Sequence, residues 1–299
     1  MTGPTTSSHL SSQQQHQQKS KQQSKQLEND LLSQLTKQEL EGAARASYDY
    51  LEDPSSKDEE LCAREFVERF LRSTSDPDKA LKRIQGALAF RQQIDVDGIR
   101  LAFDKSNKHT DPLKAQLQNK SLYVQGYDKE GRSTYVFKTS RVHEHDEEWT
   151  LKSHIYTLER ALASSKSEDG TVNAMIDFKD FSLTNNAPPF NIGKQFMTTF
   201  RDHYAGSINQ IFLMDAPMAF FVLWEVMKNF VGTKTRNKIN FLSSSSTESR
   251  EYLTQLYDKD QLAPWMMQGG MNDRSFDLDE YLYETSFNKP FGEKQEESK

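Results

Sequence analysis

Apolar and polar positions change rhythm twice along the 299-residue chain. Residues 11–26 carry eight glutamines with Ser and Lys between them and no apolar period. Such a stretch buries too little apolar surface to offset its ordering entropy. Residues 1–55 therefore read as a Gln-rich, mostly disordered arm, with a weak helix over Leu27–Leu51. A helical rhythm then sets in. Leu61, Phe66, Val67, Phe70 and Leu71 fall at helical spacings. The segment Ser75–Ala80 (SDPDKA) reads as a stop and restart, with Asp76 as N-cap and Pro77 in the first helical turn. Ala80, Leu81, Ile84 and Leu88 mark the next helix, and Val96–Phe103 and Pro112–Leu117 read as short helices or loops. Residues 56–118 are thus expected to form a small all-helical module.

The second change comes near residue 119. Short apolar runs at Leu122–Gln125, Thr134–Thr139, Val172–Phe178, Gln210–Asp215 and Lys238–Ser243 read as strands. Tyr127–Arg132 (YDKEGR) is a turn in which Gly131 is free to take positive φ. Helices are expected at Glu148–Ala163, Asn191–Arg201, Met218–Val231 and Ser249–Leu256. Strands separated by helix-length segments imply crossover connections and an α/β sheet over residues 119–272. Residues 273–299 hold eight acids and four bases and read as a loosely held acidic tail, with Phe276, Leu278, Tyr281 and Leu282 as docking points.

Composition narrows the function. Hydrophobic residues make up 35% of the chain and the mean hydropathy is −0.83, so part of it must be solvated. The net charge of −6 lacks the basic footprint of a general nucleic-acid binder. The single cysteine excludes a disulfide within the chain and a cysteine-built zinc cluster. No apolar run approaches the ~20 residues of a membrane span, and neither a secretory h-region nor a lipid-anchor motif is expected. The chain shows no nucleophile elbow, phosphate loop or dinucleotide fingerprint, and Cys62 reads as a buried inert thiol, so no enzyme activity is expected. His143 and His145 form a His-x-His pair without a third ligand at metal spacing. Ser243–Ser246 reads as a polar loop that invites phosphorylation.

Two segments carry candidate chemistry. Phe220, Leu223, Trp224, Met227, Phe230 and Val231 repeat at helical spacing, and Phe221, Val222 and Val226 widen the stripe until the helix is apolar nearly all round. Such a helix is either fully buried or meets an apolar partner that is not always present. Lys234, Arg236 and Lys238 then alternate with Thr235 and Asn237. In an extended segment that alternation puts all three cations on one side, facing a phosphate or an anionic surface, or simply water.

Four motifs in order resemble one family. Glu59–Gln93, Gly126–Phe137 (GYDKEGRSTYVF), Ile208–Leu242 with its Asp-Ala-Pro and apolar helix, and Leu256–Gly270 are similar to elements of Sec14-like, CRAL-TRIO lipid-binding proteins. The resemblance implies an α/β fold in which a helical N-terminal module packs on a mixed-sheet lipid-binding domain with an apolar cavity. The helix bearing Phe220, Phe221, Leu223, Trp224, Met227 and Phe230 would be its gate. Thr235 and Lys238 match headgroup positions, with Lys234 and Arg236 beside them. Tyr135, Ser182 and Thr184 match cavity positions that bind a phosphocholine phosphate; Ser182 and Thr184 would be buried donors or caps of the next helix or loop. The headgroup element Tyr-Pro-Glu-Arg is replaced here by Tyr204-Ala205-Gly206-Ser207. The implied function is binding of a single phospholipid, such as phosphatidylinositol or phosphatidylcholine, and its transfer or presentation between membranes. Alternatives are a lipid-sensing adaptor that presents lipid to a kinase, or a carrier of tocopherol or a retinoid. The expected partners are the lipid and a transient membrane surface. No cofactor, metal or nucleic acid is expected, and the chain is expected to be a cytoplasmic, peripheral monomer. Two acyl chains hold on the order of 20 kcal/mol against entering water, so an apolar cavity alone would speed exchange.

Overall fold

The computed structural model describes Lys19, residues 22–143 and residues 146–293, and it divides into the compact units Met1–Leu88 and Ala89–Lys299. The division falls inside one continuous helix, Pro77–Ile94, where no linker composition marks it.

The first unit is helical from residue 22, so the described part of the arm is not disordered. Residues 22–33 form a helix that buries Leu31 and Leu32. Two short helices come next, α1 (Lys37–Ala44) and α2 (Tyr48–Glu52). Thr36 and Glu39 cap α1 reciprocally: the Glu39 amide donates to Thr36 Oγ1 at 3.2 Å, and the Thr36 amide to Glu39 Oε2 at 2.8 Å. The glutamine tract lies largely outside the described residues. Helix α3 (Glu59–Ser73) starts at Asp58, whose carboxylate accepts the Leu61 amide at 2.8 Å. Its buried stripe runs through Cys62, Ala63, Phe66, Val67 and Phe70, while Leu61 is exposed. The helical period is as expected and Phe66, Val67 and Phe70 are buried, but Cys62 and Ala63 rather than Leu61 complete the inner face. Burial pushes the Cys62 thiol pKa up, as suits an inert thiol. Helix α4 (Pro77–Ile94) begins at Asp76, which accepts the Lys79 amide at 3.1 Å.

In the second unit, α5 (Val96–Arg100) and α6 (Thr110–Leu117) lead into a five-stranded sheet. The strands are β1 (Leu122–Tyr127), β2 (Ser133–Lys138), β3 (Val172–Asp177), β4 (Ile208–Met214) and β5 (Ile239–Leu242). Their spatial order is their chain order. The β1–β2 pair is an antiparallel hairpin and the other pairs are parallel. Each parallel step needs a crossover. These are α7 (Glu147–Ser164), α8 (Phe190–His203), and the pair α9 (Met218–Met227) and α10 (Thr233–Arg236); α11 (Thr247–Leu256) comes after β5. The hairpin turn is held by Asp128, whose Oδ1 accepts the Glu130 and Arg132 amides at 3.0 and 2.8 Å.

Residues 274–293 are docked rather than loosely held. The Val124 amide donates to the Tyr281 hydroxyl at 3.0 Å, and the Phe291 amide donates to the Val124 carbonyl at 2.8 Å. A bridge between Gln125 and Phe291 covers the free edge of β1. Buried Arg160 of α7 lies 3.7 Å from the Tyr281 ring centre and donates to the Thr285 and Ser286 carbonyls. The acids set the net charge of this segment, but Leu278, Tyr281, Leu282, Phe287 and Phe291 are buried and decide where it goes.

Candidate functional site

Side chains alternate across a sheet, and contacts identify its two faces. On one face Thr134 and Asn173 bond the Tyr257 hydroxyl, and Phe212 meets the Tyr252 and Tyr257 rings. The other face carries two rows set by register. The first row is Tyr135, Ala174, Ile211 and Ile239; the second is Phe137, Ile176, Leu213 and Phe241. This floor is apolar from β2 to β5, and its cover is incomplete. Phe137, Ile176, Ile211 and Ile239 are half-buried, and Phe241 is 40% exposed.

Helices α8 and α9 supply the roof. Phe220 is half-buried with its ring 4.3 Å from Phe178, and Phe221 stacks on Phe241 at 5.0 Å. Trp224 meets Phe241 edge-on at 6.2 Å. Met227 is buried, and its methyl passes beside Gly193 of α8. The Leu223 side chain lies outside the described set. The α-helix ends at Met227, short of the expected Val231, and a 3-10 turn carries Phe230 to 6.0 Å from Phe190. Opposite the floor-facing side, Met218, Val222 and Val226 form an exposed stripe at i, i+4 and i+8. A helix apolar on both sides, half-covered within and bare outside, is not a finished core.

The polar candidates scatter more than the sequence pattern implied. The expected extended cationic segment is instead the helical turn α10, begun by Gly232 as N-cap. Lys234 and Arg236 are exposed on that turn and lie on different sides of it, because residues two apart on a helix do not share a face. Arg236 donates to Thr233 Oγ1 at 3.1 Å, and Thr235 is half-buried. Lys238, half-buried, donates to the Ile208 carbonyl across the β4–β5 pair. The three cations therefore do not line one side.

Tyr135 is buried in the first floor row with its hydroxyl 2.5 Å from His154 Nδ1. Burial holds the tyrosine pKa well above its ordinary value, so the hydroxyl keeps its proton, and the direction of this bond follows the His154 tautomer. The His154 ring also meets Phe137 at 4.7 Å and Phe196 at 4.6 Å. Sequence reasoning missed His154; its signal was a histidine set beside Ile155, Tyr156 and Leu158 in an amphipathic helix. Ser182 is half-buried and Thr184 exposed, with their hydroxyls 3.5 Å apart in the loop after β3. They are not buried donors, and α8 is capped at Pro189. That loop is pinned by buried Asn186, which accepts the Ser182 amide and donates to the Ser140 and Val142 carbonyls. His145 lies outside the described residues, and His143 Nδ1 is 3.4 Å from Asn186. Among the described residues no group of three or more metal-ligating side chains occurs.

A buried charge cluster anchors the end of α8. Glu159 of α7 accepts from Arg91 Nη1 at 2.5 Å and from the Tyr204 hydroxyl at 2.9 Å, with Arg100 Nε at 3.3 Å. Burial pushes the Glu159 carboxyl up, but the two guanidiniums and the hydroxyl outweigh it and hold the pKa at about 2. Tyr204 thus serves the scaffold, next to His203, which stacks on Phe90 at 4.1 Å. Two open clefts of about 510 and 530 Å³ lie elsewhere, in the first unit; none of the candidate residues lines them. No described helix is long and apolar enough to cross a membrane.

Residues 117–264 match the CRAL/TRIO domain family model. A CRAL-TRIO domain-containing protein of Schizosaccharomyces pombe is 24% identical over 200 residues, covering 67% of this chain and 18% of that protein. Phosphatidylinositol transfer protein CSR1 of Eremothecium gossypii is 27% identical, covering 44% of this chain and 30% of that protein. Phosphatidylinositol/phosphatidylcholine transfer protein SFH7 of Arabidopsis thaliana is 24% identical, covering 59% and 34%. The matches thus span about a third or less of these relatives. The crystal structure of Sfh5 superposes with a TM-score of 0.62 at 15% identity, over 89% of this chain and 94% of that one. Motifs, topology and comparisons agree on a Sec14-like fold whose residues 117–264 match the CRAL/TRIO domain.

Proposed function

We propose that the chain holds one lipid between the two apolar sheet rows and the α8–α9 roof, and transfers or presents it at membranes. The observation that carries this reading is the half-buried apolar floor under a helix that is also apolar on its outer side. In water such surface is costly at about 25 cal/mol per Å², and an acyl chain is the natural filler. Helix α9 would act as the gate, its Met218, Val222 and Val226 stripe meeting the bilayer while Lys234 and Arg236 of α10 attract anionic headgroups. No covalent step is required. Tyr135 and His154 give the floor one polar post, suited to orient a phosphate, carbonyl or hydroxyl of the ligand. Binding would be peripheral and transient.

The test is mass spectrometry of an organic extract from the full chain after exposure to mixed phospholipid vesicles. Recovery of about one phospholipid per chain, lost in Trp224→Asp, is the expected result. A non-phosphorylated apolar molecule in its place would keep the site and remove the headgroup role of Lys234 and Arg236. No lipid from well-folded protein would overturn the reading.

A further inference from the structure

The root of α9 is tied to the loop after β5. Asp215 follows β4 in the left-handed region, with φ of 52°, and its amide donates to the Leu242 carbonyl at 2.9 Å. Its Oδ1 accepts the Ser243 hydroxyl at 3.1 Å and the Ser244 amide at 2.9 Å. Ala216 and Pro217 come next, and α9 begins at Met218. These bonds fix where the helix leaves the sheet.

The staple depends on a short chain of hydroxyl protons. Ser243 Oγ lies 3.1 Å from Ser245 Oγ as well as 3.1 Å from Asp215 Oδ1. A serine hydroxyl has one hydrogen, and a carboxylate only accepts. Ser243 therefore gives its proton to Asp215, and Ser245 donates to Ser243. Ser245 is exposed, directly before Ser246, the N-cap of α11, and Glu248 stands three residues on. A carboxylate at that spacing is what an acid-directed serine kinase reads.

We propose that Ser245 is a phosphorylation site whose phosphate takes the Ser243 hydroxyl from Asp215 and loosens the root of α9. In the modifying step the γ-phosphoryl group of ATP forms a bond to Ser245 Oγ. The bond to the β-phosphate oxygen breaks, ADP leaves, and the hydroxyl proton passes to the kinase's base. The product has lost its donor and carries about −1.5 to −2 charges at neutral pH on three strong acceptor oxygens. It claims the Ser243 proton, and it repels the Asp215 carboxylate two hydrogen bonds away. Ser246, next in the chain, is the N-cap of α11, and the positive end of that helix stabilises the added charge beside it. The carboxylate matters: an asparagine at 215 would hold the same backbone conformation and accept the same bonds without the repulsion.

The effect on lipid exchange rests on the function proposed above, so the primary readout is one that needs no lipid. The full chain is treated with an acid-directed serine kinase and ATP, mapped by mass spectrometry, and monitored by amide hydrogen exchange over residues 215–222. Expected are one phosphate on Ser245, absent from Ser245→Ala, and about fivefold faster exchange in that segment, a response that Asp215→Asn reduces by removing the charge repulsion. Failure of the folded chain to accept phosphate at Ser245 would overturn the proposal. So would unchanged exchange, or an equal response in Asp215→Asn. A faster segment without faster transfer of a fluorescent phosphatidylcholine between phosphatidylcholine vesicles would count against the lipid reading and leave the switch standing.

Discussion

The outer stripe of α9 gives the sharpest test of membrane docking. Met218, Val222 and Val226 are 81%, 73% and 49% exposed. Together they offer roughly two whole side chains of apolar surface, each worth about 1.5–3 kcal/mol on leaving water. Full insertion of the stripe therefore stabilises the bound state by about 3 kcal/mol at the lower figure, or about a hundredfold in partition coefficient. Replacing all three by glutamine removes that term. Glutamine favours helix at least as well as valine, and none of the three positions is buried, so the fold is expected to survive. The assay is co-sedimentation with phosphatidylcholine vesicles with and without an anionic lipid, beside a thermal melt of each protein. The triple variant is expected to lose about a hundredfold in binding to both vesicle types with an unchanged melt. Lys234→Gln with Arg236→Gln is expected to lose about tenfold or more, and only where anionic lipid is present, at about 1 kcal/mol per cation. Binding of the triple variant within twofold of the parent, in a folded protein, would refute the assignment of this face to the bilayer.

Three further changes probe the scaffold that positions the site. Gly126 has φ of +71° and a Cβ there would lie 2.3 Å from the Gln261 carbonyl oxygen, so Gly126→Ala is expected to lower the unfolding free energy by about 3 kcal/mol in urea titration. Glu159→Gln removes the carboxylate that Arg91 and Arg100 share, leaving Asp97 as their remaining acid at 3.9 and 3.8 Å, and is expected to cost about 3 kcal/mol by the same measurement. Its pH signature comes from a folded pKa of about 2 against an ordinary 4.5: the stability it contributes is full above about pH 4.5 and lost as pH falls toward 2, about 3 kcal/mol in the parent. A variant curve that keeps this whole acid slope would show that Glu159 is not its source. Tyr281→Phe leaves the Val124 amide without its partner, with an expected cost of about 1–3 kcal/mol and faster exchange of that amide.

How far such effects were legible in the sequence depends on the range of the interaction behind each element. All five strands lie within a few residues of their apolar runs, because each is a short run of β-branched, aromatic and other apolar residues bounded by turn residues. The Asp76 cap and the hairpin turn were readable because their bonds span four residues or fewer. The cationic turn was misjudged for the opposite reason. Alternation of Lys and Thr fits a strand or a helical turn equally, and what settles it is Gly232 as N-cap and the pairing of β5 from Ile239. The tail was misjudged because charge counts say nothing about Arg160, more than a hundred residues upstream, whose guanidinium binds its carbonyls. Ser182 and Thr184 had the spacing but not the burial, since Asn186 rather than a hydroxyl pins their loop. The candidate gate shows the limit most clearly. Its sequence is apolar on every side, which leaves a buried core helix and a membrane-facing one indistinguishable. Only the register of Phe137, Ile176, Leu213 and Phe241 across the sheet fixes Phe220 and Trp224 as the inner side and Val222 as the outer. The same sheet end places Asp215 against Ser243, so the element that sets the helix's direction also sets where its release can be controlled.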